Sequence, residues 1–193
     1  MQNYPLSYSV SPLLSADRVQ VWDAARKAVL FVPAVDDAMK KGEKPYPVYR
    51  DKEKRTLVWQ ILASKMSAGE NKDEERSVFT ISSAEGDLLG RLVEIETGWE
   101  VQNFGGGAVA QIKEKGAEKS CLGCLFSLLD IFGVLFFFIA PHRYELEING
   151  QAVLKLVQAD YNMEDSYKLK NTGEFLESHE PLLLLGLACV LLD

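Results

Sequence analysis

The run Asp160-Tyr-Asn-Met-Glu-Asp165 carries oxygen-bearing side chains at Asp160, Asn162, Glu164 and Asp165. The first three alternate, as the leading ligands of a calcium loop do. The rest of that pattern departs: its sixth position, where the loop needs glycine, is Asp165, and its twelfth, where a bidentate glutamate belongs, is Asn171. Two readings stay open, a weak calcium site and a polar loop between strands. Cys121 and Cys124 have CxxC spacing. No second cysteine pair or neighbouring histidine completes a zinc set, and no βαβ pattern frames a redox dithiol. Burial as small apolar residues and lipidation beside an apolar run are the remaining uses for them.

Gly105-Gly-Gly-Ala-Val-Ala110 formally fits a dinucleotide-binding GxGxxA. A short Val-Ala-Gln-Ile run and Lys113-Glu-Lys-Gly116 follow it, so the helix that must hold a pyrophosphate is missing. The glycines read as a hairpin turn, and no nucleotide is expected. His142 and His179, the two histidines, have no nucleophile partner, and Gly-x-Ser-x-Gly does not occur. The expected protein is not an enzyme and needs no cofactor, calcium aside. A more distinctive grouping is Lys113, Lys115 and Lys119 ahead of an apolar run, with Arg143 behind it and Phe136, Phe137 and Phe138 near its end. Cations beside apolar surface suit contact with anionic lipid, although Glu114 and Glu118 dilute the charge.

The elements that must position these residues are chiefly strands. After a polar lead-in (1–16), short alternating runs recur in pairs around turns. Arg18–Trp22 turns at Asp23–Arg26 into Lys27–Val32. Phe79–Ser82 turns at Glu85–Asp87 into Val93–Glu96, and Trp99–Gln102 turns at Asn103–Gly107 into Val109–Ile112. Tyr144–Ile148 turns at Asn149-Gly150 into the run around Leu154–Leu156. A weaker fifth pair joins Tyr167–Lys170 to Glu174–Leu176. Thr56–Leu62 adds a further apolar run, and 67–76 is a solvated loop. Period-two alternation between such turns predicts consecutive hairpins with one wet face. About twelve strands are expected, and a sheet that large curls or closes to protect its edges.

Between Pro181 and Leu192 no residue is charged, and apolar side chains cover every side of a helical wheel. Such a helix shows no face to water. At ~18 Å it is too short for the ~30 Å of a bilayer core. The expectation is one all-β domain over 1–193, a closed antiparallel barrel around a central hydrophobic helix at 181–192. The run 121–140 is long enough to cross a membrane. Asp130 within it opposes that, and so does the need for the hairpins on either side to share one barrel. Burial as loop plus strand and shallow membrane insertion are the other two readings.

A repeated-hairpin barrel closed on a C-terminal apolar helix resembles the tubby-like superfamily, which includes the phospholipid scramblases and the LURP-one-related proteins. Leu185-Gly-Leu-Ala-Cys-Val-Leu-Leu-Asp193 is similar to the scramblase core helix. Cys121-Leu-Gly-Cys124, ahead of Tyr144-Glu-Leu-Glu-Ile148, is similar to the cysteine-bearing segment of scramblases. Asp165-Ser-Tyr167 resembles the Asp-x-Tyr that opens the last strand in bacterial and plant relatives. The likeness spans 15–193. It implies a non-enzymatic domain associated with phospholipid, and an acidic calcium-responsive segment near 160–165. The sequence departs from scramblases in lacking a proline-rich arm, a dense cysteine run and a segment after the helix.

A formal charge of −7 excludes nucleic acid as the main partner. Three cysteines suit a reducing compartment, and the first residues lack the basic and apolar regions of a secretory signal. The expected setting is cytoplasmic, with peripheral attachment to a phospholipid membrane through the 113–143 region. The competing expectation is a soluble structural or protein-interaction barrel. A lipocalin-like carrier ranks third, because the helix would occupy the lumen a ligand needs.

Overall fold

A computed structural model of the chain describes residues 4, 6–10, 17–33, 39, 41–51, 53–67, 75–115, 143–161 and 165–192. Twelve strands form one closed ring in which each is antiparallel to its neighbours in the chain. They are β1 (Leu6–Val10), β2 (Asp17–Trp22), β3 (Ala28–Pro33), β4 (Tyr46–Tyr49), β5 (Leu57–Ser67) and β6 (Glu75–Ser83). There follow β7 (Leu88–Ile95), β8 (Gly98–Asn103), β9 (Ala108–Glu114), β10 (Arg143–Ile148), β11 (Gln151–Tyr161) and β12 (Asp165–Asn171). A 3-10 turn, Glu177–His179, leads into the one described α-helix, α1 (Glu180–Leu192).

Alternation puts one set of side chains inside the ring. Leu6 and Tyr8, Val19 and Val21, Leu30 and Val32, Leu92, Val101, Ile112, Leu156 and Leu169 share one core with α1, each at most 1% exposed. Every residue of α1 from Leu182 to Cys189 is buried. The helix is thus enclosed on all sides, as its uniform apolarity requires. Gly186 keeps the axis near the wall: a Cβ there would lie 3.5 Å from Ile112 and 3.6 Å from Leu92 and Val101.

Three expectations change. The polar lead-in holds a strand, β1, which pairs with β12 (Leu6↔Leu169) and with β2 (Tyr8↔Val21) and so closes the ring. The fifth hairpin has only its first arm. β12 lies between β11 and β1, and 174–176 forms no strand because no sheet edge is left for it. The loop at 67–76 is shorter than read, since β5 runs through Ser67 and β6 starts at Glu75.

An up-and-down ring has two unlike ends. Short turns at 23–27, 50–56, 84–87, 104–107 and 149–150 gather at one. The strand ends on either side of the longer stretches 11–16, 34–45, 68–74 and 115–142 lie at the other, with those flanking 96–97 and 162–164. The helix enters from the short-turn end, where the chain leaves β12.

Three short turns share one design. Asp23, Ser83 and Asn103 each accept hydrogen bonds through a side-chain oxygen from the backbone N–H groups two and four residues on, at 2.8–3.2 Å. The fourth residue has positive φ: Arg26 at 58°, Gly86 at 98° and Gly106 at 80°. A register shift follows in each adjoining strand pair, as a type I turn with a bulge demands.

Candidate functional site

Of the cations assigned to lipid contact, Lys113, Lys115 and Arg143 sit at the long-connection end. Lys113 is the last residue but one of β9, Lys115 directly follows the strand, and Arg143, exposed, opens β10. The Lys115 N–H donates to the Arg143 carbonyl at 2.7 Å. The chain therefore leaves the barrel and returns to it at a single point of the rim.

The two lysines face carboxylates across the sheet. Register sets Lys113 opposite Glu145 and Gln111 opposite Glu147. The Lys113 ammonium lies 2.6 Å from Glu147, Lys115 3.5 Å from Glu147 and 4.0 Å from Glu145. Lys155 of β11 reaches Glu145 at 3.1 Å. The hydrogen bond from Lys113 holds the Glu147 carboxyl below the ordinary glutamate range. This ladder engages both lysines, and the clue to it was the matching i, i+2 charges of Lys113/Lys115 and Glu145/Glu147. Lys119, Cys121, Cys124, Phe136, Phe137, Phe138 and the whole of 121–140 lie outside the described residues.

Of the calcium candidates, Asn162 and Glu164 also lie outside the described residues. Asp160 is the last residue but one of β11 and Asp165 opens β12, with Tyr161 paired to Asp165. The backbone there is a hairpin. The second half of a twelve-residue loop would be β12 itself, whose residues are committed to ladders on both sides. No group of three or more His, Cys, Asp or Glu able to hold a metal occurs among the described residues. The hairpin projects beyond the β9–β10 rim: Val157 pairs with Arg143, and β11 continues to Tyr161, roughly 14 Å further at ~3.4 Å per residue.

One polar cluster escaped the sequence reading. Glu180, in the first turn of α1, is buried, and the Tyr4 hydroxyl donates to its Oε1 at 3.1 Å. The Tyr8 hydroxyl donates to the Leu184 carbonyl at 3.3 Å. Burial, with Glu180 nearby, pushes both tyrosine hydroxyls well above their usual pKa. The first strand is thereby tied to the helix mouth, where a carboxylate also suits the helix dipole. An acidic residue just ahead of an otherwise uncharged helix was the available signal.

The outer wall carries Arg91, Glu100, Gln111, Glu145, Lys155, Lys168 and Lys170 where a membrane-spanning barrel needs an apolar band. Among the described residues no helix is long and apolar enough to cross a membrane. No protein-family model matches the chain, and no curated protein matches it.

Proposed function

We propose that this chain is a non-enzymatic binding module of tubby-like, scramblase-like type, cytoplasmic and peripheral at the membrane. Its phospholipid contact runs through the 113–143 region. The observation that carries the reading is the filled lumen: α1 and the inward side chains of the strands already occupy the interior. Those described residues form one core without the apolar run 121–140, which favours an outside role for that run. Its flanks at Lys115 and Arg143 meet on one rim, which suits a shallow contact and opposes a single crossing.

The reading is tested by sedimenting the purified protein with liposomes, anionic against neutral, with and without calcium. Binding that requires anionic lipid, weakens with salt and is lost on replacing Phe136, Phe137 and Phe138 by serine supports it. Absence of binding to any liposome sinks it. The second reading, a soluble protein-interaction barrel, is favoured by one observation: Glu145 and Glu147 already hold Lys113 and Lys115.

A further inference from the structure

The short-turn end displays exposed apolar side chains and exposed carboxylates. Among the described residues five large apolar side chains are exposed, and Phe104, Leu176 and Leu88 (76%, 65% and 39%) all belong to this end. Leu88 opens β7 beside the turn that displays Phe104, since Gly90 pairs with Asn103. Leu176 lies on the segment that crosses from β12 to the helix mouth.

Phe104 is held out on a rigid platform. The Asn103 side chain accepts from the N–H groups of Gly105 and Gly107, both at 3.0 Å. The backbone of Asn103 closes the same turn, accepting from Gly106 and donating to Gly107, both at 2.9 Å. A ring presented this way loses little freedom when a partner covers it.

Charge divides the rim. Arg26, Lys27, Arg50, Lys54 and Arg55 lie on the turns after β2 and β4. Glu85 and Asp87 lie on the turn beside Phe104, and Glu174 on the segment that bears Leu176. These three are exposed, and none forms an ion pair with a described cation. Carboxylates beside apolar side chains repel anionic headgroups and attract Lys or Arg next to apolar residues.

We infer that this end docks a protein segment with an apolar face bordered by lysine or arginine, an amphipathic helix in the simplest case. Phe104, Leu88 and Leu176 meet its apolar face, and Glu85, Asp87 and Glu174 meet its cations. The site stands apart from the opposite rim assigned to lipid.

The probe is a labelled synthetic Leu/Lys amphipathic peptide of about 18 residues, measured by fluorescence anisotropy. A Leu/Glu analogue and a shuffled Leu/Lys sequence are the comparisons. Phe104→Ser, and separately Glu85→Lys with Asp87→Lys, are expected to weaken binding about tenfold or more, ~1.4 kcal/mol. Glu75→Lys, at the far end, leaves it within about twofold, and so rules out attraction by overall charge alone. Leu176→Ser provides a second apolar variant should Phe104→Ser misfold by circular dichroism. The inference is overturned by absence of saturable Leu/Lys binding, by equal binding of either comparison peptide, or by indifference to the rim variants. It is equally overturned if Phe104→Ser abolishes sedimentation with anionic vesicles, which would make this end the lipid contact.

Discussion

Leu184→Asp puts a carboxyl at the centre of the barrel. Leu184 is 3% exposed, and its carbonyl accepts the Tyr8 hydroxyl. Losing a buried leucine side chain costs about 2.7–5.0 kcal/mol. A carboxylate taken out of water without a partner adds several kcal/mol more. Together these match or exceed much of the ~5–15 kcal/mol that holds a domain folded. The introduced acid has a folded-state pKa raised above its unfolded value of about 3.9. Its least unfavourable state is therefore the protonated one, and the variant's stability falls as pH rises from about 4 towards neutrality. Urea denaturation followed by far-UV circular dichroism, with gel filtration, at pH 4 and pH 7 reads both effects. Leu184→Met is expected to cost under about 1.5 kcal/mol. Leu176→Asp, at an exposed position, is expected to stay within about 0.5 kcal/mol. A soluble Leu184→Asp variant with the wild-type urea midpoint at pH 7 would refute the enclosed helix.

Gly90→Ala is expected to destabilise by about 1–3 kcal/mol in the same urea assay. A Cβ there would lie 2.2 Å from the Gln102 carbonyl oxygen and 2.9 Å from Leu182. Gly105→Ala, whose nearest contact is Asn103 at 3.4 Å, is the matched neutral case, within about 0.5 kcal/mol, and equal effects would contradict the close approach of wall and helix. Glu147 contributes stability that is complete above its ordinary value of 4.5 and disappears as pH falls through its lower folded-state value. Glu147→Gln is therefore expected to melt below the wild type at pH 7, with the gap closing in more acid buffer. A gap independent of pH would show that the Lys113 pairing is not its source.

Much of the fold is written in local patterns. Alternation marks the strand faces because successive side chains in a strand point to opposite sides. Ser83 with Gly86 and Asn103 with Gly106 mark turns, since a short polar side chain and a residue free to take positive φ are what those turns consume. Lys54 takes the same positive φ without being glycine, and its turn carried no glycine or asparagine to mark it. The tyrosine–glutamate contact at the helix mouth was illegible because Tyr4 and Glu180 come from opposite ends of the chain.

Hairpins with one dry face and an enclosed helix were legible in the amino-acid order, because both follow from side-chain period and hydropathy over short windows. That β1, inside a polar lead-in, closes the ring against β12 became visible in the folded chain alone. Two edge strands at the extremes of the chain meet because their unpaired backbone groups need partners, a requirement with no local signature. The same holds for the Lys113–Glu147 pair and for the gathering of Phe104, Leu88 and Leu176 at one end. Register and ring closure bring together residues that no short window of the sequence places side by side.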